Sequence, residues 1–148
     1  MRTRTPSHRR PAGFSLIEVL VSVLVVSLGL LGAAALQATA LRSNQGSYER
    51  TQVSILSQSL FDAMRANLAG LDKGDYDTGG WACSALAAGS LAASDLTRWV
   101  GNVRDQINPG ACGQVVCAGR DCTVSVRWDD SRATGGSATR AVAIRGQL

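Results

Sequence analysis

The spacing of apolar and polar positions changes along the chain, and each change marks a different kind of element. From Phe14 to Leu41 almost every residue is apolar, and Glu18 is the single formal charge that interrupts the run. About 20 apolar residues suffice to cross the hydrocarbon of a bilayer as a helix. This run meets that length, contains no proline, and predicts a membrane-spanning segment. Gly29 and Gly32 would each cost a helix in water roughly 1 kcal/mol relative to alanine, whereas in a membrane such small residues allow close helix packing. Beyond Leu41 the spacing becomes amphipathic. Leu56, Leu60, Met64 and Leu68 recur at every fourth position, with Val53 and Phe61 beside them, so one face of a helix is directed at a core. Ser47 to Met64 holds neither glycine nor proline. The pattern therefore predicts one helix from about Phe14 to about Asn67, with Gly46 as a weak point between its halves.

The helical spacing then stops. The stretch from Ala69 to Gly80 is rich in glycine and aspartate and reads as a solvated loop. Asp72, Asp75 and Asp77 do not have the ligand spacing or closing glutamate of an EF-hand calcium loop. A second helix follows, with Ser94 as its expected N-cap before Asp95. Leu96, Trp99, Val100, Val103 and Ile107 fall on one face, and Asn108-Pro109-Gly110 ends it. Trp99 reads as a core anchor rather than a stacking platform for a ligand. From Cys122 to Trp128 the period becomes two: Cys122, Val124, Val126 and Trp128 alternate with Thr123, Ser125 and Arg127, the mark of a half-buried strand. Asp129 to Gly136 is a turn, Thr139 to Arg145 a return strand, and Gln114 to Cys117 a further strand. The order predicts an α+β fold in which a long N-terminal helix packs on a small antiparallel sheet.

Charge sharpens this picture. The 148 residues carry a formal net charge of +4, but Arg2, Arg4, Arg9 and Arg10 all lie in the first ten. Without those four, the 15 basic residues fall to 11 and match the 11 acidic ones. The folded body is electrically balanced, which argues against a nucleic-acid surface, since that requires a clustered basic face. A basic tip before an apolar helix is instead a topology signal that keeps the N-terminus on the cytoplasmic side.

Cys83, Cys112, Cys117 and Cys122 all fall in the C-terminal half. An even count beyond an export signal reads as disulfides formed in an oxidising compartment. Zinc is disfavoured, because no C-x-x-C pair is present and the only histidine, His8, lies in the basic leader. Four cysteines allow three pairings. The reading inclines to Cys83–Cys122 with Cys112–Cys117, the second closing a short hairpin around Gly113-Gln114-Val115-Val116. Its rival is Cys83–Cys112 with Cys117–Cys122.

Three readings compete for the apolar run. A secretory signal peptide would use Arg9 and Arg10 as its basic region and Ala38-Thr39-Ala40 as its cleavage site, but such signals have apolar cores of only about 7–15 residues. A plain membrane anchor would tolerate Glu18 near the interface, where an acid costs less than at the bilayer centre. The third reading uses every feature at once. Gly13-Phe14-Ser15-Leu16-Ile17-Glu18, behind a basic leader and ahead of an apolar helix, closely resembles the processing motif of type IV prepilins and pseudopilins. That resemblance implies cleavage between Gly13 and Phe14 by a prepilin peptidase, with N-methylation of Phe14. It also implies a register role for Glu18, paired in the filament with the N-terminus of a neighbouring subunit.

The later segments resemble the PilV family of minor pilins, the type IV pilus modification proteins. The segments that carry this are Met64-Arg65-Ala66-Asn67, Asp95-Leu96-Thr97-Arg98-Trp99 and Val124-Ser125-Val126-Arg127-Trp128-Asp129. The leader, residues 1–13, is long for that class. The resemblance implies the pilin fold, with a disulfide-bearing C-terminal part. It divides the chain into a cleaved leader (1–13), a transmembrane and filament-core half-helix (14–41) and a periplasmic globular domain (42–148). The implied location is the bacterial inner membrane and then the pilus. The implied partners are the prepilin peptidase, other minor pilins, the major pilin, the assembly platform and a tip adhesin, in service of pilus assembly and twitching motility. A type II secretion pseudopilin and a membrane-anchored periplasmic binding domain are the alternatives. No nucleophile elbow, phosphate loop or histidine outside the leader points to an enzyme, and neither a cofactor nor a metal is expected.

Overall fold

The computed structural model describes residues 13–87, 89–133 and 135–148. The basic leader residues Arg2, Arg4, His8, Arg9 and Arg10 lie outside them. The element order is α1 (Leu16–Ala66), α2 (Leu68–Asp72), α3 (Leu91–Gln106), β1 (Cys112–Ala118), β2 (Asp121–Trp128) and β3 (Arg140–Gln147). The chain divides into two compact units, one ending at Ala38 and one from Thr39 to Leu148.

In the first unit α1 is apolar all round. Its large apolar side chains from Leu16 to Leu36 are all more than half exposed. Ser22 and Ser27 return their hydroxyls to the carbonyls of Glu18 and Val23, at 2.6 and 2.7 Å, so neither presents an unpaired donor to an apolar surround. The helix runs through Gly29 and Gly32 without interruption.

In the second unit α1 supplies the stripe that its spacing predicts. Val53, Leu56, Leu60, Phe61 and Met64 are all buried. They meet Leu96, Trp99, Val100 and Val103 of α3 and the inward side chains Cys122, Val124, Val126 and Trp128 of β2 in one cluster. Gly46 is no weak point. The helix passes through it, and a Cβ there would stand 3.1 Å from the Ala133 methyl, so the small residue admits the loop after β2. The same helix holds β2 through the Trp128 indole N–H, which donates to the Glu49 carboxylate at 2.7 Å.

Two boundaries differ from expectation. α3 starts one turn early, because Ser90 rather than Ser94 caps it: the Ser90 hydroxyl accepts from the Ala93 N–H at 3.1 Å. Ser94 already lies inside the helix and returns its hydroxyl to the Ser90 carbonyl. Asn67 likewise nucleates the short α2 inside the expected loop by accepting from the Gly70 N–H.

The sheet is antiparallel in the order β1-β2-β3. The β1–β2 hairpin turns between Ala118 and Asp121, where Gly119 takes φ +63°, a conformation that glycine adopts at no steric cost. This placement corrects the disulfide pairing. Cys112 and Cys117 lie five residues apart on one strand, roughly 17 Å along it, and a bridge needs Cα atoms within about 7 Å. Cys117 instead faces Cys122 across the ladder and bonds to it. The Ala82↔Gly113 bridge sets Cys83 beside Cys112, and these two form the second disulfide. Gly113 is fixed by its neighbour, since any Cβ there would run into the Trp99 ring. A long helix, a three-stranded antiparallel sheet and two disulfides make this an α+β structure consistent with the pilin fold.

Candidate functional site

The residues singled out by the N-terminal motif fall where the chain enters α1. Gly13, Phe14 and Ser15 precede the helix and are exposed, and among the described residues no atom comes within 4 Å of a Cβ built on Gly13. A peptidase must draw its substrate into an extended form, and this junction is already outside regular structure. The Ser15 carbonyl begins the helix by accepting from the N–H groups of Glu18 and Val19 at 3.0 and 3.2 Å. Glu18 therefore lies in the first turn, where the unpaired N–H groups and the helix dipole favour an anion.

Glu18 borders a shallow open groove lined by Ile17, Val21, Ser22, Val25 and Val26. Among the described residues, none hydrogen-bonds to or ion-pairs with its carboxylate. An acid on an apolar helix face lowers its cost either by reaching the headgroups or by meeting a cation supplied from elsewhere. The helix itself is long enough to cross a bilayer. Its most apolar 18-residue window reaches a mean hydropathy of 2.6, and none of that window is buried.

The four cysteines belong to the other unit and act as staples. Cys83–Cys112 ties the irregular stretch before α3 to β1, and Cys117–Cys122 closes the β1–β2 hairpin. Asp72, Asp75 and Asp77 do not converge as a ligand set. Asp72 is engaged by Arg120 at 3.0 and 3.1 Å, which holds its carboxyl below the usual range and the guanidinium above its own. Asp77 caps the Gly79 N–H at 2.8 Å.

Sequence reasoning missed one buried polar network. The Tyr76 hydroxyl donates to the Asp95 carboxylate at 2.8 Å and receives the Asn67 amide at 3.3 Å. Asp95 also meets Arg98. Burial pushes the Tyr76 hydroxyl up to about 12, against the Asn67 hydrogen bond, with the Asp95 charge adding to the rise. The one available signal was Asp95 itself, an acid placed directly before Leu96 on the apolar face of α3. A second buried acid, Asp130, pairs with Arg140 at 3.1 Å and anchors the loop between β2 and β3.

Residues 8–34 match the family model described as the prokaryotic N-terminal methylation motif. No curated protein and no solved structure matches the chain. The motif, at the head of an exposed apolar helix on this fold, indicates a prepilin-like protein of a type IV pilus or a related system. It implies processing by a prepilin peptidase, favours a structural role over an enzymatic one, and fits a single-pass inner-membrane anchor.

Proposed function

We propose that the chain is a minor pilin of a type IV pilus, made as an inner-membrane precursor and incorporated at or near the pilus tip, where it helps to initiate assembly. The observation that carries this reading is the pairing of the methylation motif with an apolar half-helix whose large apolar side chains from Leu16 to Leu36 are more than half exposed. The four arginines of the leader hold the N-terminus in the cytoplasm, and residues 42–148 form the periplasmic domain. Hydrolysis of the Gly13–Phe14 bond leaves a carboxylate on Gly13 and a new amine on Phe14, which then receives a methyl group. In the filament the Phe14 ammonium of one subunit meets the Glu18 carboxylate of its neighbour. Each charge is costly to bury alone in an apolar bundle, and the pair offsets that cost at one axial register. The segments around Asn67, Trp99 and Trp128 support the minor-pilin subtype by resemblance. The other minor pilins, the major pilin, the assembly platform and a tip adhesin are its partners in this role, which serves twitching motility.

Glu18→Ala tests the assembly step. The variant should be cleaved and should keep both disulfides yet fail to enter pili, and incorporation at the wild-type level would refute the pairing. A deletion separates pilus from secretion filament. Lost piliation with intact protein export supports the proposal, whereas the reverse phenotype identifies a type II secretion pseudopilin. Neither phenotype, together with an uncleaved N-terminus, identifies an anchored periplasmic domain.

A further inference from the structure

We draw no further inference here: the strongest candidate, the cavity of about 140 Å³ between α1, the end of α3 and the loop after β2, is a cluster of acids in which Glu49 already accepts from Trp128, Asp129 from Ser131 and Asp130 from Arg140, and no second observation there points to a ligand.

Discussion

The two stretches of α1 are built from similar residues and meet opposite fates. Phe14 and the large apolar side chains from Leu16 to Leu36 are between 52% and 83% exposed, while Val53, Leu60, Phe61 and Met64 are between 0% and 2%. Hydrophobicity alone does not set this difference; pattern does. The second stretch gathers most of its apolar residues into a stripe, with Ile55 a 55% exposed exception among serine, glutamine and arginine on the other side, so the chain's own sheet and α3 can cover it. The first stretch is apolar in every direction, which a single small domain cannot cover. Such a stretch is long and apolar enough to cross a bilayer, and in the proposed filament the like helices of other subunits would cover it.

The sharpest way to break this comparison is to truncate one side chain in each stretch. Phe61→Ala should destabilise the domain by about 3–5 kcal/mol, the usual cost of emptying a filled aromatic site. Leu24→Ala, at a side chain 60% exposed, should change unfolding by less than about 0.5 kcal/mol. Thermal unfolding of the full chain in detergent compares them, and equal losses would mean that the first stretch packs within its own subunit.

The disulfides sharpen the contrast, since only the domain needs covalent help. Replacing Cys83 and Cys112 by serine opens a loop with a sequence separation of 29 and should cost about 3.5 kcal/mol on loop entropy. Replacing Cys117 and Cys122 opens a separation of only 5 and should cost about 2 kcal/mol. Denaturant titration of the two double variants measures both, and the reverse order would contradict the pairing.

The smallest effect concerns the buried network. Tyr76 holds its proton more tightly folded than unfolded, because its folded value is about 12 against an ordinary 10. The stability it contributes is therefore whole below pH 10 and is lost as the pH rises through 12. Tyr76→Phe should cost about 1 kcal/mol at neutral pH and should remove that part of the alkaline decline. An unchanged decline would assign it to other groups.

What the sequence disclosed follows from how local each signal is. The α1 stripe and the β2 alternation are read from neighbours a few residues apart, and both lie where the spacing put them. Gly13, Phe14 and Glu18 lie in one short stretch, within the residues 8–34 that match the methylation-motif family model, and their individual roles belong to the proposal. The short hairpin expected around Gly113-Gln114-Val115-Val116, which a Cys112–Cys117 bridge would close, is misplaced: those residues lie within β1, and the turn at Gly119 carries only a single glycine as its signal. Tyr76 with Asp95, and Glu49 with Trp128, lie 19 and 79 residues apart, and no local pattern announces such pairs.

The central claim is that the chain is a precursor cut between Gly13 and Phe14. Intact mass of the mature protein tests it most directly. The account predicts loss of Met1 to Gly13, one added methyl group, and four hydrogens fewer than the reduced chain. A mass that corresponds to cleavage after Ala40, or to an uncut chain, would contradict it.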